Sequence, residues 1–95
     1  MEIYKIVNNI TGKIYIGQTV SNRTQRICAH LRKSRYDSPV GYDMRQQGIS
    51  NFTITTIDYA NTKQELDKKE AHWIRILNCL HPKGYNKNRG IRRSL

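Results

Sequence analysis

Glu2-Ile3-Tyr4-Lys5-Ile6-Val7-Asn8 and Lys13-Ile14-Tyr15-Ile16-Gly17 decide how this chain folds. Both runs are rich in β-branched and aromatic residues, which suit a pleated, half-buried surface. Asn8-Asn9-Ile10-Thr11-Gly12 between them is turn-rich, so the pair predicts a β-hairpin. In a hairpin of that length Tyr4 and Tyr15 fall within a position or two of facing each other. Ser21 stands where a helix over residues 22–34 needs its N-cap. On that helix Arg23, Arg26, His30 and Lys33 form a basic stripe, with Ile27 and Leu31 beside it on the core side. Ser38-Pro39-Val40-Gly41 breaks the chain, and a short helix follows that Gly48 ends. Residues 51–59, Asn-Phe-Thr-Ile-Thr-Thr-Ile-Asp-Tyr, predict a third strand.

Thr62-x-x-Glu65 is a capping-box pattern and opens a helix over residues 62–78. His81-Pro82-Lys83-Gly84 closes that stretch, and Tyr85-Asn86 leads into a basic tail. On the helix Leu66, Glu70, Trp73 and Leu77 share one stripe, at spacings of four, three and four. A carboxylate in the middle of an apolar stripe is costly to bury unless a cation compensates it. That cation is either a structural Arg or Lys or a metal, and the choice decides whether the protein is an enzyme. The chain holds seven carboxylates. Glu65 is committed to capping, Asp67 and Asp43 to helix surfaces, Asp58 to a strand end, Asp37 to a loop and Glu2 to a strand terminus. Glu70 alone is expected to point inward.

Ninety-five residues make one domain with a single modest core. No signal peptide or membrane-spanning run is evident, and Cys28 and Cys79 do not make a disulfide framework, so the expectation is a soluble, cytoplasmic protein. Charge says more. Lys and Arg number 17 against seven Asp and Glu, a net charge of +10. The excess is clustered at Arg23, Arg26, Arg32, Lys33 and Arg35, and again at Lys83, Lys87, Arg89, Arg92 and Arg93. Such patches suit a polyanion, of which nucleic acid is the commonest. Neither patch is paired with a broad apolar face, which argues against a membrane partner.

Five short signals in order resemble the GIY-YIG nuclease family. They are Glu2-Ile3-Tyr4, with the family's leading glycine replaced, then Tyr15-Ile16-Gly17 intact. Arg26 follows with His30 four residues on, then Glu70 within Lys69-Glu70-Ala71-His72-Trp73-Ile74, and lastly Gly84-Tyr85-Asn86. The resemblance covers residues 2–86. It implies an α/β fold, a small sandwich with a three-stranded antiparallel sheet flanked by helices. Residues 1–87 would form that domain and 88–95 a basic C-terminal tail.

It also implies an endonuclease that hydrolyses DNA phosphodiester bonds with one divalent metal. Tyr4, Tyr15, Arg26, His30, Glu70 and Asn86 are then the catalytic set. Phosphodiester hydrolysis requires a metal on the phosphoryl oxygens, a cation for developing charge and an activated water. With Glu70 as the one inward carboxylate, a two-metal site is not expected, and one Mg²⁺ or Mn²⁺ held by Glu70 and waters fits hard-cation preferences. A free tyrosine, with pKa about 10, is a poor base at neutral pH. Arg26, a metal and Lys5 or Lys13 nearby would favour the phenolate of Tyr4, the expected base, with Tyr15 assisting. Arg23, Lys33, Lys87, Arg89, Arg92 and Arg93 are the expected nucleic-acid contacts.

Each role has a plainer counterpart. Glu70 forms a buried ion pair with Arg26, the tyrosines are cross-strand packing, and Arg26 contacts only a phosphate. His30 positions a phosphate, shuttles a proton or decorates its helix, and Asn86 is a turn residue. On that side the protein is a non-catalytic nucleic-acid-binding module on the same fold. RNA stays open as a target beside DNA, because charge reads phosphate and not sugar. Zinc on Cys28-x-His30 and Cys79-x-His81 is rejected, since residues two apart on a helix point about 200° apart.

Overall fold

The computed structural model describes residues 1–20 and 39–86. Its elements run β1 (Glu2–Asn8), β2 (Ile14–Thr19), α1 (Pro39–Gln47), a 3-10 turn (Ile49–Asn51), β3 (Phe52–Tyr59) and α2 (Lys63–Leu77). The strands form one antiparallel sheet in the order β2-β1-β3, with β1 central. The hairpin and third strand are where the sequence expects them, although β2 runs on to Thr19. The expected helix over 22–34, and with it Cys28, lies outside the described residues.

Alternation along the strands builds a core on each face of the sheet. Tyr4 and Ile6 of β1 pack on one face with Val40, Met44, Phe52 and Tyr85, joined by Tyr15 and Ile54. Ile3 and Ile16 pack on the other with Ala60, Leu66, Ile74 and Cys79. The result is a sandwich, with α1 contributing to the first face and α2 covering the second. A register shift opposite Ile3 and Tyr4 skips Ile57, which joins the second cluster. Among the described residues no helix is long and apolar enough to cross a membrane.

The local chemistry of α2 follows its sequence. Thr62 Oγ1 accepts from the Glu65 N–H at 3.1 Å, and Glu65 Oε1 accepts from the Asn61 N–H at 2.8 Å. Asn78 ends the helix in the left-handed region at φ 53°. The buried stripe is Leu66, Glu70 and Ile74; Trp73 and Leu77 sit half-buried beside it. Trp73 Nε1–H donates to Asp58 Oδ2 at 3.0 Å and Lys69 Nζ donates to Oδ1 at 3.2 Å, latching α2 to β3. Those donors, Trp73 first, hold the Asp58 carboxyl below its ordinary pKa. Pro39-Val40-Gly41, expected as a break, is instead the first turn of α1. Proline fits there because its missing N–H is one that has no partner within the helix.

Candidate active site

The hairpin register sets Tyr4 opposite Gly17 and Tyr15 opposite Ile6, so the two tyrosines are diagonal neighbours on one face. Their ring centroids are 6.2 Å apart at an interplanar angle of 46°. Tyr4 is fully buried, whereas Tyr15 is half-buried. Gly17 is the floor beneath them. A Cβ added there would collide with the Tyr4 ring and hydroxyl and would lie 2.8 Å from Tyr15 Cε2. The glycine is therefore a requirement of space, and it leaves the Tyr4 hydroxyl its place.

Glu70 approaches from the opposite side of the sheet. It is 6% exposed, between Leu66 at 0% and Ile74 at 2% on the inner face of α2. Gln18 reaches it from β2, where its Nε2 donates to Glu70 Oε1 at 2.7 Å and to Asp67 Oδ1 at 2.9 Å. Lys63 Nζ donates in turn to Gln18 Oε1, and to Asp67 Oδ1 at 2.9 Å. Asp67, expected on the helix surface, is thus half-buried and tied to Glu70 through a shared amide. The other carboxylates among the described residues are occupied away from this network. Glu2 Oε1 accepts from Thr56 Oγ1 at 2.9 Å, and Asp43 Oδ2 accepts from the Tyr85 hydroxyl at 2.6 Å. Burial pushes the Tyr85 phenol up to about 12, against the hydrogen bond it receives from Asn8.

Asn86 is placed by the segment after α2, which runs along the outer edge of β2. The Tyr85 N–H donates to Ile14 O at 2.9 Å. Asn86 then presents its side chain as a substitute strand: Oδ1 accepts from Ile16 N–H and Nδ2 donates to Ile16 O, each at 2.9 Å. At 7% exposure, with both ends of its amide on the Ile16 backbone, Asn86 is an anchor for β2. This clamp on the Ile16 backbone is a role that the sequence, read as giving either a member of the catalytic set or a turn residue, did not specify. Gly84 permits the close approach, since a Cβ there would lie 2.5 Å from Cys79 Cα. Cys79 itself is a core thiol, pushed up to about 11 by burial.

Four of the expected residues, Tyr4, Tyr15, Glu70 and Asn86, are thus organised by one strand. Ile16 is clamped by Asn86, Gly17 carries the tyrosine pair, and Gln18 holds Glu70. The tyrosines and Glu70 lie on opposite faces and adjoin at the consecutive residues Gly17 and Gln18. Among the described residues no three His, Cys, Asp or Glu side chains gather as a metal cage. Arg26, His30, Arg23, Lys33, Lys87, Arg89, Arg92 and Arg93 lie outside the described residues. Gln18, Lys63 and Asp67 were missed by sequence reasoning. The available signals were a polar residue within an inward-facing strand and the Lys63-x-x-x-Asp67 spacing of an i,i+4 pair.

The GIY-YIG catalytic domain is the family whose pattern matches, over residues 1–86. Among solved structures, the catalytic domain of the homing endonuclease I-TevI is similar at 24% identity. That likeness covers 92% of this chain and 97% of that one, with a TM-score of 0.73. A glutamate-to-alanine mutant of the catalytic domain of the intron endonuclease I-TevI is 26% identical. It is matched over 94% of this chain and 96% of that one, with a TM-score of 0.68. No curated protein matches significantly.

Proposed function

Because the chain belongs to the GIY-YIG family and is an endonuclease of that kind, we propose that it cuts DNA with one divalent cation, Mg²⁺ or Mn²⁺, held by Glu70. One observation carries the reading: a carboxylate 6% exposed is held by the strand residue next to the glycine that seats two tyrosines. A burial of that kind costs too much to keep without a task or a compensating charge. The donor set suits the proposed ion, since Glu70 offers hard oxygen and Asp67 lies beside it through Gln18. When bound, such a cation polarises the scissile phosphoryl group and makes a nearby water more acidic.

The protein's own groups do the rest. Tyr4 takes the proton of the attacking water, and Tyr15 orients that water or the scissile phosphate. Arg26 offsets charge on the phosphoryl oxygens, and His30 holds or protonates the departing end. Asn86 keeps β2, and so the tyrosines and Gln18, in place. Arg23, Lys33, Lys87, Arg89, Arg92 and Arg93 meet the phosphates on either side, in keeping with the net charge of +10.

Glu70→Gln tests the reading. Plasmid nicking in Mg²⁺ should be abolished while DNA affinity stays within a few-fold of wild type. Retained Mg²⁺-dependent cleavage would remove Glu70 as the ligand. A wild-type protein that binds DNA and never cuts it would be the non-catalytic binding module instead, and an RNA substrate run in parallel distinguishes the two nucleic acids.

A further inference from the structure

Glu70 is gripped by a side chain that belongs to none of the five sequence signals. We propose that Gln18 is a positioning residue for the catalytic carboxylate: its amide, oriented by Lys63, holds Glu70 in the arrangement that takes the divalent cation. This rests on the reading of Glu70 as cation ligand.

An amide has an acceptor end and a donor end, and its surroundings here distinguish them. Oε1 faces the Lys63 ammonium, and Nε2 spends its hydrogens on Glu70 at 2.7 Å and Asp67 at 2.9 Å. Turned over, the amide would set its NH₂ against the ammonium and its oxygen against two carboxylates, so electrostatics admit one orientation. Lys63 is itself held by Asp67 at 2.9 Å across one turn of α2. The donor aimed at Glu70 is therefore fixed from behind.

The anchor is also rigid. Gln18 pairs with Ile3 of the central strand, and its neighbour Gly17 pairs with Tyr4. Holding Glu70 from Gln18 sets the carboxylate against the same strand that seats the tyrosines, although the two lie on opposite faces of the sheet. Charge completes the argument. A neutral amide orients a carboxylate and leaves its negative charge intact for a cation, whereas Lys or Arg at this position would compete with the metal for it. The Lys63 charge acts one hydrogen bond further away.

Gln18→Met keeps the length and removes the donor. The Mn²⁺ dissociation constant, read by electron paramagnetic resonance of free Mn²⁺, should rise about 10–100-fold, the usual effect of losing a partner that orients a ligand. The Mg²⁺ concentration for half-maximal nicking should rise with it, while the KM for DNA stays unchanged. Lys63→Met should shift the same constants less, and should add little on top of Gln18→Met, because the part of its effect carried by the amide is already lost and only its direct contact with Asp67 remains. If Gln18→Met does not fold, Gln18→Asn withdraws the amide by one methylene and is judged by the same constants. A variant that loses thermal stability but keeps wild-type metal constants would make Gln18 a strut between β2 and α2 and overturn the proposal. If wild type binds no Mn²⁺ and needs no cation, the metal reading of Glu70 falls as well. If wild type responds to metal and Gln18→Met responds equally, only the role of Gln18 falls.

Discussion

Gly17 shows at the residue scale how one absent atom shapes a site. Its backbone needs no special conformation; what it supplies is the room into which the Tyr4 hydroxyl and the Tyr15 ring settle. Gly17→Ala should therefore cost about 1–3 kcal/mol, the range for forcing an extra methyl into a packed region. Cleavage should fall further than stability, because the rings move before the sheet does. A denaturant melt beside a cleavage rate checks both, and unchanged values would mean that the pair yields freely. The tyrosines themselves are separated by Tyr→Phe at each position, with single-turnover cleavage followed from about pH 6 to about 10, across the phenol range. Tyr4→Phe should lose most of the rate and the rising alkaline limb, whereas Tyr15→Phe should lower the rate and keep the limb. A Tyr4→Phe enzyme with that limb intact would take Tyr4 out of the base role. Full burial of Tyr4 makes this the more exacting outcome, since water has to gain access to a phenol with no exposed surface.

At the scale of elements, β2 is an edge strand whose outer side is closed by the segment leading to Asn86. Without that cover it would present unpaired backbone groups. Asn86→Ala leaves the Ile16 N–H and C=O without their partners in a buried setting. The expected cost is about 1–3 kcal/mol, the penalty for orphaned buried groups. Amide hydrogen exchange should accelerate at Ile16 and Tyr85, the backbone donors described in this seam. Asn86→Asp should not rescue it, because a carboxylate retains the acceptor for Ile16 N–H but faces Ile16 O without a hydrogen to give. Exchange at wild-type rates in Asn86→Ala would show that the seam holds without the side chain. Activity should drop in step with the loosening, since the clamped residue directly precedes Gly17 and Gln18.

For the whole molecule the governing quantity is charge. A net +10 on 95 residues makes DNA affinity a matter of counterion release, so binding should weaken steeply with salt. Deleting residues 88–95 removes Arg89, Arg92 and Arg93. The slope of log affinity against log salt should then flatten by about 0.9 for each phosphate that is no longer neutralised. The described hydrogen bonds of the seam at Asn86 are all kept in that truncation, so thermal stability should stay near the wild-type value. Affinity and slope both unchanged would make the tail a bystander and shift the footprint onto the cluster from Arg23 to Arg35.

Local pattern determined much of this protein. Alternating β-branched and aromatic residues specified the hairpin, Thr62 and Glu65 specified where α2 begins, and the inward place of Glu70 followed from helical spacing. Those signals are legible because period and capping are properties of neighbouring residues. Pro39 misled because the same residue that ends one element can open the next, and only the course of the chain distinguishes them. Partner choice was decided by tertiary structure alone. Gln18 meets Glu70 across 52 positions and Asn86 meets Ile16 across 70, and no local period carries such a pairing. Asp67 looked like a surface charge until β2 was laid against α2, and nothing in the sequence around Asn86 announced that its amide would fill the place of a strand. Sheet register and the packing of a helix onto one face bring distant polar groups within hydrogen-bonding range, and each buried group then has to be satisfied by whatever that packing sets beside it.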